Sequence, residues 1–189
     1  MEKILCFKKN LLPPDYLGRE TALKIELHEF SRIVEGHQEY QLRGLMEENT
    51  DYKQIIPYAL IRDTDNCFFV YPRKGSEARL HGLKSCGIGG HVSSHDEAVT
   101  LEQTIHNCLK REIFEETGLK PKVFTFLGYI NEEIHPVGHF HCGLVFFCEV
   151  KDREEIVLST EITQFNFMEP ERLLSENLEL WSRLALSLV

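Results

Sequence analysis

Apolar residues recur along the chain in runs that are typical of buried strands. Two nearly continuous runs, 53–62 and 67–71, flank the polar turn 63–66, so together they predict a β-hairpin. Pro57 inside the first run predicts an edge position or a bulge, because proline lacks the N–H that a central ladder uses. Further strands are predicted at 4–7, 123–130, 139–150 and 162–168.

Apolar residues three and four positions apart, a spacing typical of amphipathic helices, predict the helical segments. The strongest example covers 98–117 and ends at Gly118, with Pro121 just beyond. Shorter helices are predicted over 20–34 and 178–188. Strands and helices are mixed without strict alternation, so the pattern favours an α/β fold with a mixed sheet over a doubly wound parallel sheet.

A polar run at 47–51 separates the first part of the chain from the hairpin. It predicts a boundary between an N-terminal extension, 1–50, and a main domain, 51–189. The extension contains a strand and a helix, which we expect to pack on the core of the main domain.

Composition narrows the class of protein. With 21 Lys and Arg against 30 Asp and Glu, the net charge of −9 disfavours binding to a nucleic-acid polymer. Apolar runs are too short for a membrane helix, and the first residues do not resemble a secretory signal. The 6 cysteines contain no Cys-x-x-Cys pair, so we expect reduced thiols and a cytoplasmic location.

The end of the long helix carries the residues of greatest chemical interest. At about 100° per residue, Glu112, Glu115 and Glu116 fall within an arc of about 100° that overlaps the apolar stripe of the helix. Clustered carboxylates repel one another unless a cation lies between them, and oxygen ligands suit Mg²⁺ or Mn²⁺. A solvated helix end is the alternative. Gly90 and its neighbouring glycines favour the metal interpretation, because glycine lets the backbone approach a ligand.

The segment Arg111-Glu112-Ile113-Phe114-Glu115-Glu116-Thr117-Gly118-Leu119 resembles the second half of the Nudix box, Gly-x5-Glu-x7-Arg-Glu-U-x-Glu-Glu-x-Gly-U, at every specified position. Gly90 matches the opening glycine of that box. Twenty residues separate Gly90 from Arg111, where the pattern has thirteen, which indicates a seven-residue insertion that we place around 93–97. Counted back from Arg111, the first glutamate of the box falls on Gln103.

The resemblance implies an α/β/α sandwich and a hydrolase that cleaves the diphosphate linkage of a nucleoside diphosphate derivative or similar organic diphosphate. Mg²⁺ or Mn²⁺ would be the cofactor, and a small-molecule diphosphate the partner; a homodimer is compatible with the family. The implied metal ligands are Gly90 (through its carbonyl), Glu112, Glu115 and Glu116. Candidates for the general base are Glu115 and Glu116, then Glu161, then Glu132 or Glu133. Arg73, Lys84 and His141 are predicted to contact the substrate.

Two other functions stay open from the sequence. An isomerase of isopentenyl diphosphate, which is related in fold, pairs a cysteine with a glutamate, and Cys86 precedes the glycine loop. The third hypothesis is a non-catalytic Nudix module that binds a nucleotide. The intact acid cluster argues against such a module, because binding alone does not require three crowded carboxylates.

Overall fold

The structure, a computed structural model, describes residues 2–73, 80–151, 153–160 and 162–189. Within them the strands are β1 (Lys3–Lys8), β2 (Glu20–Leu23), β3 (Glu39–Leu42), β4 (Tyr52–Asp63), β5 (Phe68–Pro72), β6 (Lys84–Ser85), β7 (Gly87–Gly89), β8 (Thr125–Glu132), β9 (His141–Val150) and β10 (Asn166–Met168). The α-helices are α1 (Leu27–Val34), α2 (Arg43–Met46), α3 (Leu101–Thr117), α4 (Pro170–Leu174) and α5 (Leu180–Leu186).

One mixed sheet organises the chain in the order β10-β5-β4-β9-β8-β2. β4 and β9 run parallel, in register from Gln54↔His141 to Asp63↔Val150. The other neighbours along this path are antiparallel. Opposite β9, β4 pairs first with β1 and further along with β7. The long apolar run of β4 follows from this central position, because a strand covered on both faces needs apolar residues on both.

Helices cover the sheet on both faces. Phe30 of α1 and Ile105 and Leu109 of α3 belong to one core cluster, whereas Leu173 of α4 and Ala185 of α5 belong to a second. The fold is therefore the predicted α/β/α arrangement around a mixed sheet. In the described part of the chain, no helix is long and apolar enough to cross a membrane.

The N-terminal residues belong to this sheet. β1 pairs antiparallel with β3 on one side and with β4 on the other. Phe7 and Phe30 pack edge to face with ring centroids 5.8 Å apart, in the same core as Ile55 of β4. The strand and helix of the first fifty residues thus share the core of the sheet, while the domain division at residue 50 stays a prediction.

Two predictions of local structure are wrong. Glu20–Leu23, placed in the helix predicted over 20–34, form β2, which pairs antiparallel with β8. The strand is fixed by a partner distant in sequence, and such tertiary pairing overrides local propensity. Pro57 lies in a central strand and not at an edge or a bulge. It occupies the gap between the segments of β4 that pair with β1 and with β7.

The long helix is confirmed, with its start moved to Leu101. The Thr100 hydroxyl accepts a hydrogen bond from the Gln103 N–H at 3.2 Å and caps that end. Gly118, with φ 70°, ends the helix in the left-handed conformation that favours glycine. The last two turns of α3 lie against the glycine loop after β7, where Gly90 approaches Glu112.

Candidate active site

The last turns of α3 carry the three glutamates of the box at different depths. The side chain of Glu112 is 17% exposed and that of Glu115 is 54% exposed, while Glu116 is half-buried. Burial raises the pKa of Glu112 above its ordinary value, and the Arg111 guanidinium opposes this shift. A buried carboxylate of this kind is stabilised by a nearby cation.

Gly90 lies directly against Glu112. A Cβ at position 90 would fall 2.3 Å from both Cδ and Oε1 of the Glu112 carboxyl. A side chain at position 90 would therefore require the Glu112 carboxylate to shift, and glycine lets the loop approach the carboxylate in its present position. The structure therefore brings Gly90 and Glu112 together.

All three glutamates line one cavity of about 240 Å³. The remaining wall residues are Tyr71, Arg73, Ile88, Gly89 and Ile162. Carboxylate oxygens and one guanidinium thus face the same small space. This set of groups suits a hard cation together with an anionic oxygen of a ligand.

Each glutamate is hydrogen-bonded to the protein. Glu112 and Glu115 accept hydrogen bonds from the same Arg111 nitrogen at 2.6 and 3.2 Å. Glu116 accepts one from the Ser159 hydroxyl at 2.6 Å. Among the described residues, no three His, Cys, Asp or Glu side chains converge closely enough to hold a metal ion. The carboxylates share a cavity without forming a closed ligand set.

Arg111 is also held from its other edge, by Asp96. Arg111 Nε and one terminal nitrogen donate to the two oxygens of Asp96, each at 2.8 Å. Asp96 is 4% exposed and belongs to a 3₁₀ turn, Ser94–Asp96. Burial by itself would raise the pKa of Asp96. Hydrogen bonds from Arg111 and the Ser93 N–H outweigh burial and hold this pKa below its ordinary value.

Asp96 is the site residue that the sequence analysis missed. Counted back from Arg111, the position of the first box glutamate is Gln103, which is exposed. Counted forward from Gly90, the Gly-x5-acid spacing ends on Asp96. That forward count would have found it, and it places the seven extra residues between Asp96 and Arg111 instead of around 93–97.

A larger cleft, of about 330 Å³, lies beside the acid-lined cavity. Tyr71, Arg73 and Gly89 line both spaces, so the two are neighbours. Apolar and aromatic side chains form much of its wall, including Tyr58 of β4 and Trp181 of α5. The cleft can therefore hold an organic group while an attached phosphate faces the glutamates.

The two basic residues predicted to contact the substrate differ in position. Arg73 lines both spaces; its Nε lies 3.4 Å from a Glu179 carboxylate oxygen but makes no hydrogen bond there. Lys84 forms an ion pair with Glu176 at 2.5 Å and lines neither of the two described spaces. The geometry brings Arg73 to the site and leaves Lys84 outside its walls.

His141, the third predicted substrate contact, lies in the wall of the cleft beside His91. Its Nδ1 is 2.9 Å from the Val137 carbonyl, so Nδ1 carries the proton and donates it. Its Nε2 is 3.1 Å from His91 Nε2, so the two rings are in hydrogen-bond contact. Burial, followed by the neighbouring His141, lowers the pKa of His91 to about 3, so His91 is neutral near pH 7.

Two of the other acids proposed as general bases, Glu132 in the wall of the cleft and Glu133, are held by hydrogen bonds. Glu132 accepts hydrogen bonds from the Ile134 and His135 backbone N–H groups at 2.7 and 2.9 Å. Glu133 is bound by Lys53 and Lys9 and lines neither described space. Glu161 falls outside the described residues.

Cys86 is fully buried and faces α5. Its Sγ donates to the Ser182 carbonyl at 3.9 Å, and its backbone N–H donates to the Ser182 hydroxyl at 3.0 Å. Burial raises the pKa of the Cys86 thiol to about 12. Cys86 lines neither of the two described spaces, which is a poor placement for proton transfer to a bound diphosphate.

The family model of the NUDIX domain matches residues 54–188. The chain therefore belongs to the Nudix family, and it is a MutT-like hydrolase of the class that cleaves diphosphate linkages. The match begins in β4 and ends just after α5, so it includes the glycine loop, α3 and the cleft.

Individual relatives agree with this assignment. Protein YmaB of Bacillus subtilis (strain 168) is 31% identical over 163 residues, which is 79% of this chain and 77% of YmaB. The crystal structure of Tm1382, a proposed Nudix hydrolase, matches with a TM-score of 0.84 at 26% identity, over 98% of this chain and 97% of Tm1382. The MutT Nudix hydrolase of Burkholderia pseudomallei matches with a TM-score of 0.58 at 19% identity, over 72% of this chain and 98% of that one, and shows the fold alone.

Proposed function

We propose that this Nudix hydrolase depends on Mg²⁺ or Mn²⁺ and cleaves the diphosphate linkage of a nucleoside diphosphate derivative or a similar organic diphosphate. One observation carries the proposal: the three box glutamates and Arg73 line a single small cavity that adjoins a larger, partly apolar cleft. The cavity offers carboxylates for a cation and a guanidinium for a phosphate. The cleft offers room for the organic part of the substrate.

The residues fit a hard divalent cation by their chemistry. Glu112, Glu115 and Glu116 supply only oxygen donors, which is the preference of Mg²⁺ and Mn²⁺. Gly90 would add its carbonyl, and it is the residue whose missing Cβ leaves space beside Glu112. When bound, such an ion lowers the pKa of an attacking water and offsets charge on the phosphate oxygens.

The protein's own residues would position and activate the reactants. Arg73 would hold a phosphate, because its guanidinium lines both the acid cavity and the cleft. His141 would face the organic part of the substrate from the cleft wall. Glu115 or Glu116 would take the proton from water, with Glu161 as the further candidate; the ion pair of Lys84 with Glu176 makes that lysine the weakest of the proposed contacts.

The test is hydrolysis of a panel of organic diphosphates with Mg²⁺, Mn²⁺ or EDTA. We expect turnover that needs the cation and falls by at least 10²-fold in Glu115→Gln/Glu116→Gln, because the variant loses two carboxylates at the reacting centre. The matched control is Glu102→Gln, the same chemical change at the other end of α3, which lines neither described space. Turnover that persists in EDTA, or a double variant as active as the control, would contradict the proposal.

The two alternatives predict different results in the same assay. An isoprenoid diphosphate isomerase would depend on Cys86, which is buried against α5. A non-catalytic module would bind nucleotide without a cation and release no product. The three acids in one cavity favour the hydrolase over both.

A further inference from the structure

The glycine loop after β7 is held by backbone contacts on both sides of Gly90. On one side, Gly89 is the last residue of β7 and pairs with Tyr58 of β4. On the other side, the Val92 carbonyl accepts a hydrogen bond from the Leu5 N–H of β1 at 2.8 Å. Gly90 therefore lies between one contact with β4 and one with the first strand of the chain.

The contact with β1 extends beyond this hydrogen bond. Ile4 forms an antiparallel bridge with Ser93, the next residue of the loop. Leu5 is 3% exposed and Val92 is fully buried, and both belong to the core cluster that contains Ile105 of α3. The loop thus leaves β4 at the end of β7 and continues along β1.

β1 is itself fixed in the sheet. It pairs with β3 over residues 3–6 and with β4 over residues 6–8. Successive N–H groups of a strand point to opposite edges. Because the Leu5 N–H is directed at the glycine loop, the Ile4 N–H is directed at β3, where Ile4 is paired with Gln41.

The loop needs such a support because its own backbone is permissive. Gly89 and Gly90 are adjacent glycines, so the direction of the Gly90 carbonyl depends on what holds the residues that follow. The His91 carbonyl accepts a hydrogen bond from Arg111 at 3.0 Å. Loss of the β1 contact would therefore weaken the hold on the loop without abolishing it.

We infer that β1 is part of the active site: through the hydrogen bond from Leu5 to Val92 it positions the glycine loop, so that the Gly90 carbonyl can bind the cation beside Glu112. The inference rests on the proposed function. Leu5 is a positioning residue, since it acts through Val92 and lines neither described space. β1 precedes the residues that match the NUDIX model, so the inference gives the N-terminal extension a role in the reaction.

The test replaces one peptide N–H at a time by an ester oxygen, which removes a donor and leaves every side chain unchanged. Because residue 6 is a cysteine, a synthetic peptide of residues 1–5 can be ligated to residues 6–189 at the natural thiol, and the full chain refolded. One ester replaces the Ile4–Leu5 peptide bond and removes the Leu5 N–H. The control ester replaces the Lys3–Ile4 bond and removes the Ile4 N–H, which faces β3.

Mn²⁺ binding is measured by the electron paramagnetic resonance signal of free Mn²⁺, with hydrolysis as a second readout. For the Leu5 ester we expect the Kd for Mn²⁺ to be about three- to tenfold higher than for the control ester, the range that one backbone hydrogen bond contributes. Hydrolysis should fall at limiting Mn²⁺ and recover at saturating Mn²⁺, because the loop presents a ligand. A merely structural role would lower the melting temperatures of both esters and leave their Mn²⁺ affinities equal.

A recombinant pair tests the same contact if the esters refold poorly. Leu5→Pro and Leu5→Ala both shorten a buried side chain, but only proline also removes the N–H. We expect Leu5→Pro to bind Mn²⁺ more weakly than Leu5→Ala by a similar factor. Circular dichroism shows that the two variants compared are folded.

The outcomes are distinct. Equal Mn²⁺ affinity in the two esters, or in the two folded recombinant variants, overturns the inference and leaves the proposed function standing. A weaker affinity whose loss of hydrolysis does not recover at saturating Mn²⁺ also overturns it, because β1 would then not act by presenting a metal ligand. A natural protein that neither binds Mn²⁺ nor hydrolyses any diphosphate overturns the proposed function, and this inference with it.

Discussion

At the scale of single residues, the position of Cys86 separates the hydrolase from its isomerase alternative. The thiol lies between sheet and α5, with its Sγ directed at Ser182 and its pKa raised by burial to about 12. A thiol of this kind is protonated near pH 7 and behaves as a small apolar group. Its place just before the glycine loop is visible in the sequence, but its direction is fixed by a helix 96 residues later.

We therefore predict that Cys86→Ser keeps the hydrolytic kcat within about twofold, while the melting temperature falls because a hydroxyl replaces a thiol in the core. Steady-state kinetics and thermal unfolding check this. Cys6→Ser, at another fully buried cysteine, is the control for the stability effect alone. A loss of activity above 10²-fold in a folded Cys86→Ser protein would revive the isomerase-like mechanism.

At the scale of elements, the sequence predicted what depends on local chemistry and failed where distant pairing decides. α3 and its end at Gly118 follow from helical spacing and a glycine cap, and both were predicted. β2 was not, because Thr21 and its neighbours become a strand only by pairing with β8. The box glutamates were identified by their motif. Asp96, the partner of Arg111, was missed because seven extra residues lie between the two, so that the expected spacing back from Arg111 ends on Gln103.

The contact between the glycine loop and α3 gives a prediction at this scale. Gly90→Ala would place a Cβ 2.3 Å from the Glu112 carboxyl, so either the loop or the glutamate must move. We expect hydrolysis to fall at least tenfold, the order of loss found when groups around a metal site shift. The measurement is kcat/KM, with circular dichroism to show that the fold is kept.

Gly44→Ala is the matched control for that substitution. Gly44 lies in α2, and a Cβ there would meet nothing within 4 Å. We expect unchanged activity and equal or slightly higher stability, because alanine restricts the unfolded chain. A Gly90→Ala enzyme as active as Gly44→Ala would show that the close approach to Glu112 is not needed.

At the scale of the whole molecule, a buried ion network lies at the end of the central parallel pair where β4 and β9 both begin. Lys53 at the start of β4 is fully buried and donates to Glu133, Asn131 and the Gly138 carbonyl at 2.7 Å each. Burial by itself would raise the pKa of Glu133. Hydrogen bonds from Lys53, Lys9 and His139 outweigh burial and lower this pKa to about 2. The network holds the segment that connects β8 to β9, and His135 and Val137 of this segment line the cleft.

The low pKa of Glu133 predicts how stability changes in acid. A carboxyl with a folded pKa of about 2 and an ordinary value of 4.5 stabilises the fold fully above pH 4.5, and this contribution is lost as the pH falls toward 2. Glu133→Gln should lower the free energy of unfolding at pH 7 by about 3 kcal/mol, since it leaves Lys53 buried without its anion. The difference from the natural protein should shrink between pH 4.5 and 2, as measured by urea unfolding.

Glu47→Gln provides the comparison for that experiment. Glu47 also pairs with a cation, Arg43, but its side chain is 47% exposed. An exposed pair contributes less than about 1 kcal/mol, so this variant should differ little from the natural protein at any pH. Equal losses in the two variants would show that the Lys53 network does not stabilise the fold specifically.

The parallel pairing of β4 with β9 also sets an order of events during synthesis. Gln54 pairs with His141, so β4 must wait for 87 further residues before its central neighbour exists. At typical rates of translation this interval lasts roughly 4 to 17 s. Throughout that time β4, a central strand of the finished sheet, has only β1, β5 and β7 as possible partners. α3, at 101–117, is therefore synthesised before the central strand pair of its sheet can form, and we expect any chaperone that binds the nascent chain to bind mainly before residue 150 has been made.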